Sequence, residues 1–291
     1  MKRAMTLLLV FAVLFAFALF AIASGSSDGE EKEISSAEST DNSKEITIEE
    51  QVLIDDNGLV VTAKEYVKDS IWGDGIKLLI ENNTDSDVTL TCDDLIVNDY
   101  MLTDLFSETV SAGKKANTTV YLSSTQLDAA GISNVGKVEI YFRTYNPETY
   151  DTIKSYGVVT IKTSVFDIID VEADNIGAVL YENNGVKVVG KYVDEDSFWG
   201  TSVILYIENN RSENISLHVD NMSVNGFMND CFFYSKVLSG KKSVDDITVF
   251  SSDLEENGIE KITDIEFDFY VTNADNYDRI IENETVKINM Q

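Results

Sequence analysis

One histidine and two cysteines occur among 291 residues, and that scarcity bounds the chemistry first. So few ligands cannot fill a zinc site of the Cys/His kind or supply a Cys/His catalytic pair. No H-E-x-x-H or phosphate-loop motif is present. Positive charge is scarce as well: 22 Lys+Arg stand against 51 Asp+Glu, for a net charge of −29. A chain so acidic does not neutralise phosphates, which excludes nucleic acid as a partner. What is present is apolar material, 44% of the residues, and length for two domains of about 150 residues each.

Met1-Lys2-Arg3 is a short basic start, followed by an apolar run from Ala4 to Ala23. That is the pattern of an export signal. Ala21-Ile22-Ala23 supplies small residues for cleavage before Ser24, so residues 1–23 read as a signal peptide. The alternative is an uncleaved membrane anchor, because the run approaches the ~20 residues that cross a bilayer. Either way Lys2 and Arg3 stay inside and the remainder lies outside the cytoplasm, extracellular or at the cell surface. A lipid anchor would need a cysteine where Ser24 stands. Residues 24–45 hold no aromatic and only Ile34 as a large apolar residue. They read as a disordered acidic stalk, about 25 Å long on average.

The remainder is one domain written twice. Trp72-Gly73 recurs as Trp199-Gly200, an offset of 127 residues. The same offset pairs Asn57-Gly58 with Asn184-Gly185, and Ile80-Glu81-Asn82-Asn83 with Ile207-Glu208-Asn209-Asn210. It also pairs Val97-Asn98 with Val224-Asn225, Gly113-Lys114-Lys115 with Gly240-Lys241-Lys242, and Tyr150-Asp151 with Tyr277-Asp278. A period this long means tandem domains rather than a solenoid. The expected boundaries are 46–164 and 173–291, with an apolar junction at 165–172.

Each copy reads as strands. Ile265, Phe267 and Phe269 alternate with Asp264, Glu266 and Asp268, and Val138, Ile140 and Phe142 keep the same phase in the first copy. Leu59/Val61, Ile76/Leu78/Ile80 and their counterparts Val186/Val188 and Val203/Leu205/Ile207 each point to one face. Asn57-Gly58 and Gly113, with their counterparts, mark turns. Ser124-Thr125 and Ser251-Ser252 offer N-caps for one short helical turn per copy, ended by Gly131 and Gly258. Seven or eight short antiparallel strands per copy predict an all-β chain of two tandem immunoglobulin-like antiparallel β-sandwiches.

The run VLYENNGVKVVGKYVDEDSFWGTSVILYIENN, with SVNGFM and LSGKK after it, resembles secreted immunoglobulin-like domains of unknown function from Gram-positive gut bacteria. The resemblance covers both copies and implies an extracytoplasmic β-sandwich. It transfers no catalytic residue.

Candidate chemistry is sparse. Cys92 and Cys231 are not equivalent under the offset and read as free thiols, Cys92 as a small buried hydrophobe. His218 lies between Leu217 and Val219 with Thr91 as its counterpart, and reads as a solvated surface residue. Asp194-Glu195-Asp196 and Asp55-Asp56-Asn57-Gly58 both miss the calcium-loop spacing. The basic Gly-Lys-Lys pairs read as hairpin turns. Trp72 and Trp199 are the best candidates for contact: an aromatic at a loop tip can stack on a sugar or fill a partner's pocket. The competing reading makes each Trp a plug on the end of its own core, beside Ile71 or Phe198.

No catalytic residue, metal or cofactor is assigned. The expected function is a non-catalytic binding or spacer module whose partner is an unknown protein or a cell-wall glycan. A carbohydrate-binding module using the two Trp loops is the alternative, and an enzyme of unrecognised type the third reading. Membrane contact is expected only through the N-terminal segment. Phe166, Ile168 and Ile169, more apolar than a flexible linker, are expected to pack at the domain interface or extend an edge strand.

Overall fold

The structure is a computed structural model that describes residues 45–69, 73–103, 105–170, 173–197 and 200–290. The apolar run at 4–23 and nearly all of the expected stalk lie outside the described residues. No helix among the described residues is long and apolar enough to cross a membrane.

The first copy contains β1 (Gln51–Asp56), β2 (Leu59–Asp69), β3 (Gly73–Asn82), β4 (Val88–Val97), β5 (Tyr100–Leu102), β6 (Ser107–Val110), β7 (Lys114–Tyr121), α1 (Ser124–Ala129), β8 (Lys137–Tyr145) and β9 (Thr152–Lys162). The second repeats that order with β10 (Ala178–Asn183), β11 (Val186–Ser197), β12 (Gly200–Asn209), β13 (Ile215–Val224), β14 (Phe227–Met228), β15 (Cys231–Phe232), β16 (Tyr234–Val237), β17 (Lys242–Phe250), α2 (Ser251–Glu256), β18 (Asp264–Asn273) and β19 (Arg279–Asn289). Strand by strand the offset is the one read from the sequence, and β15 is the addition.

Each copy is an antiparallel sandwich. In the first, β1-β2-β3-β7 packs on a layer built from β5, β4, β8 and β9, with β6 also on β4. In the second, β10-β11-β12-β17 packs on β14-β13-β18-β19, with β16 also on β13. The strand phases expected from alternation hold: Val138, Ile140, Phe142, Ile265, Phe267 and Phe269 are all buried. Asn57-Gly58 and Asn184-Gly185 close two-residue hairpins with positive φ at both positions, the conformation that suits strand twist and favours Asn-Gly.

The asparagines that repeat are latches. Asn82 and Asn209 are fully buried. Asn209 Nδ2 donates to the Glu213 and Val237 carbonyls at 2.9 Å each, and its Oδ1 accepts from the Arg211 amide. Asn82 bonds the Ser86 and Val110 carbonyls and the Thr84 amide in the same way. A buried amide with its bonds made fixes the loop that crosses between the two sheets.

Three expectations are corrected. The helical caps sit one residue earlier: Ser123 Oγ accepts from the Gln126 amide, and its counterpart is Phe250, so α2 has no side-chain cap. Among the described residues the strand count is nine and ten rather than seven or eight, because short ladder pieces such as β5 and β14 flank the tight turns. The apolar junction does not act as a unit. Its amides at Ile168 and Ile169 both bond the Val165 carbonyl and wind it into a turn, so among its described residues only Val165 and Ile169 face the first core. Phe166 lies under the Lys162 ammonium at 4.0 Å, and Ile168 is 67% exposed.

Candidate functional site

The described part of the chain forms one compact unit, and the seam between the copies is built from β5 and β17. Lys242 and Ser243 lie beside Tyr100 and Met101 as parallel neighbours, and the Lys242 amide donates to the Asp99 carbonyl at 2.9 Å. This is the one parallel pairing among the described strands. It merges a sheet of each copy into a single ten-stranded sheet.

Side chains reinforce the seam. Lys241 Nζ sits 2.6 Å from both Asp99 Oδ1 and Glu139 Oε2, and Lys137 shares the same two carboxylates. Burial alone would push the Asp99 carboxyl up, but the bonds from Lys241 and Lys137 outweigh it and hold it below the ordinary carboxylate range. Lys241 is raised for the mirror reason: its two carboxylate partners outweigh the burial that would lower it. Lys236 bonds both Asp94 oxygens at 2.7 and 2.8 Å, yet burial still leaves the Asp94 carboxyl above its ordinary value. Tyr100 and Tyr206 meet edge to face, with centroids 6.3 Å apart, and burial pushes the Tyr100 phenol up to about 12.

Along this seam runs a groove made of two adjoining cavities, of 570 and 410 Å³, which share Thr103, Tyr234 and Asp245. Tyr192 and Tyr234, both about half exposed, stand at its rim, with Asp128, Asp194 and Asp246 along it. At its base the Asp245 carboxyl accepts a hydrogen bond from Ser235, and burial pushes it above the ordinary range. Asp246 is held by Ser202 at 3.0 Å and Thr248 at 2.8 Å. Carboxylates, hydroxyls and tyrosine edges can hold a polyol or a cationic group, and they repel anions.

Of the sequence candidates, Asp194 and Cys92 line this groove. Trp72 and Trp199, with Ile71 and Phe198, lie outside the described residues. Gly200, just after Trp199, has φ +143, and a Cβ there would fall 2.2 Å from the Val249 carbonyl oxygen, so only glycine allows that close approach. Both cysteines are half-buried thiols. His218 is not the solvated residue expected. It stacks on Tyr270 at 4.8 Å with Tyr234 edge-on, its Nε2 lies 3.2 Å from Thr272 Oγ1, and Arg279 covers Tyr270 at 3.6 Å. Burial first, then the Arg279 charge, holds its imidazole below the ordinary value. Cross-strand neighbours that single-strand alternation cannot supply account for the difference. Lys241 and Lys242, read as a turn, belong to the seam. The signal for them was present: Ile204, Tyr206 and Val244 replace Lys77, Leu79 and Asn117, making the outer face of one second-copy sheet apolar. Among the described residues no cluster of His, Cys, Asp and Glu could hold a metal ion.

No family model matches this chain, and no curated protein matches it. Among solved structures, a protein of unknown function from Porphyromonas gingivalis W83 is 13% identical, covering 75% of this chain and 91% of that one, with a TM-score of 0.22. The Salmonella enterica SafA pilin in complex with the SafB chaperone is 10% identical, covering 74% and 89%, with a TM-score of 0.20. Likenesses this slight say nothing about what this chain binds.

Proposed function

We propose that the protein is a non-catalytic binding or spacer module that works outside the cytoplasm, at the cell surface or released from it. The observation that carries the reading is the seam. Two sandwiches joined by a shared sheet and a part-buried Lys241–Glu139 pair make a stiff body, which suits holding a binding surface at a set distance. The basic start and apolar run support export, and the resemblance to secreted immunoglobulin-like domains points the same way.

Surface labelling of intact cells tests the location. Antibody or protease should reach the folded part without lysis, and protection until lysis contradicts the proposal. Purified full chain should turn over nothing in a hydrolase panel. Turnover abolished by one carboxylate substitution would make it an enzyme.

A second reading, binding of a neutral glycan, is favoured by the half-exposed rings of Tyr192 and Tyr234 over hydroxyl-lined groove walls. Glycan-array signal lost on Tyr234→Ala assigns it to the groove. Signal lost on Trp199→Ala assigns it to the Trp loops, and no signal in the parent chain removes the reading.

A further inference from the structure

The seam is a heterologous contact: β5 of the first copy meets β17 of the second. Because the copies repeat, each half of this contact exists a second time. The counterpart of β17 is β7, and the counterpart of β5 is β14. Among the described residues β7 pairs only with β3 and β14 only with β13, so one edge of each carries no strand. We propose that β14 of one molecule docks on β7 of a second molecule of this chain, repeating the internal seam and joining molecules head to tail.

The residues at the two free halves support the match. Tyr100 and Met101 are covered within the seam, Tyr100 to 1% exposure, whereas their counterparts Phe227 and Met228 are 50% and 66% exposed. Two large apolar side chains left open on a short edge strand are the kind of surface that pairing covers. Facing them, Leu79 takes the place of Tyr206, so an apolar pair replaces the Tyr100–Tyr206 contact. Lys115 stands where Lys242 lies over the Tyr100 ring at 5.6 Å, and it would lie over Phe227. Charge is matched by different residues. Lys114, the exposed counterpart of Lys241, would meet Glu266 and Asp264, the counterparts of Glu139 and Lys137. The Lys236–Asp94 pair becomes Thr109 and Asn221, a neutral polar match.

A heterologous contact of this type has no built-in stop: it propagates into a filament, or closes into a ring if its rotation allows. An isologous dimer does not follow from it.

The test uses the full chain in detergent, so that the apolar run at 4–23 is covered, with Cys92→Ala and Cys231→Ala removing the native thiols. Ala116→Cys and Met228→Cys then stand at positions equivalent to the paired Ser243 and Met101. Cα atoms of such neighbours lie within disulfide reach. On mild oxidation the double variant should give a ladder of dimer, trimer and longer species, and each single variant nothing beyond a dimer. Absence of a cross-link, or arrest at the dimer in the double variant, overturns the proposal. So does an equal ladder from a remote pair such as Lys68→Cys with Asn283→Cys. Sedimentation of uncross-linked protein gives a second reading that folding defects cannot imitate. Lys114→Glu and Glu266→Lys should each weaken association about tenfold and together restore it, as expected of a charge pair. Failure of the double swap to restore association counts against the pairing.

Discussion

Lys241 Nζ lies 2.6 Å from Glu139 Oε2, across 102 residues of chain, and both side chains are largely shielded from water. The pair crosses from the second sandwich to the first. It fixes the seam because an ion pair of low exposure tolerates neither partner leaving.

Lys241→Met should therefore destabilise the chain by about 2–3 kcal/mol, below the full cost of breaking a buried pair because Asp99 stays partly exposed. Chemical denaturation of the full chain measures it. The equivalent Lys114→Met, on an exposed residue, should change stability by no more than about 0.5 kcal/mol.

Asn209→Ala removes an amide that makes three bonds in a fully buried position. A loss of about 1–3 kcal/mol is expected, because the Val237 and Glu213 carbonyls lose their donor. Asn82→Ala should cost a similar amount, and a thermal melt compares the two.

His218 gives a pH signature. Its folded value lies below the ordinary one, so as pH falls through about 6.5 the unfolded chain takes up a proton that the folded chain refuses. Stability from this group is intact at neutral pH, falls below about 6.5, and stops falling below the folded value. His218→Thr, the residue its counterpart Thr91 already is, should flatten the melting temperature relative to the parent between pH 7 and 5. Parallel curves for the two proteins would contradict the assignment.

Asp245 behaves with the opposite sign. Burial raises its folded value, so the ionised carboxylate is a cost at neutral pH that disappears as pH falls below the ordinary carboxylate range. Asp245→Asn should raise the melting temperature at pH 7 relative to the parent and lose that advantage near pH 4.

Much of the fold is legible from period-2 alternation and the 127-residue repeat. Val138 and Phe267 are placed by phase alone, and Asn57-Gly58 by the turn that it prefers. The site is less legible because it depends on contacts between strands far apart in sequence. Lys241 and Lys242 look like a hairpin turn, and their counterparts Lys114 and Lys115 are exposed as expected; only the neighbouring copy turns them into a seam. His218 looks solvated until Tyr270 and Tyr234 arrive from β18 and β16. A comparison of the two copies for apolar residues on faces that should be wet, at Ile204 and Val244, would have marked the interface.

With β5 and β17 sharing one sheet, the two sandwiches should move as one body. Spin labels at Lys68→Cys in β2 and Asn283→Cys in β19, on the full chain lacking its native thiols, report the distance between the copies. Double electron–electron resonance should give one narrow distance distribution, and Lys241→Met should broaden it. A broad distribution in the parent protein would mean that the seam does not hold and that the copies act as independent heads.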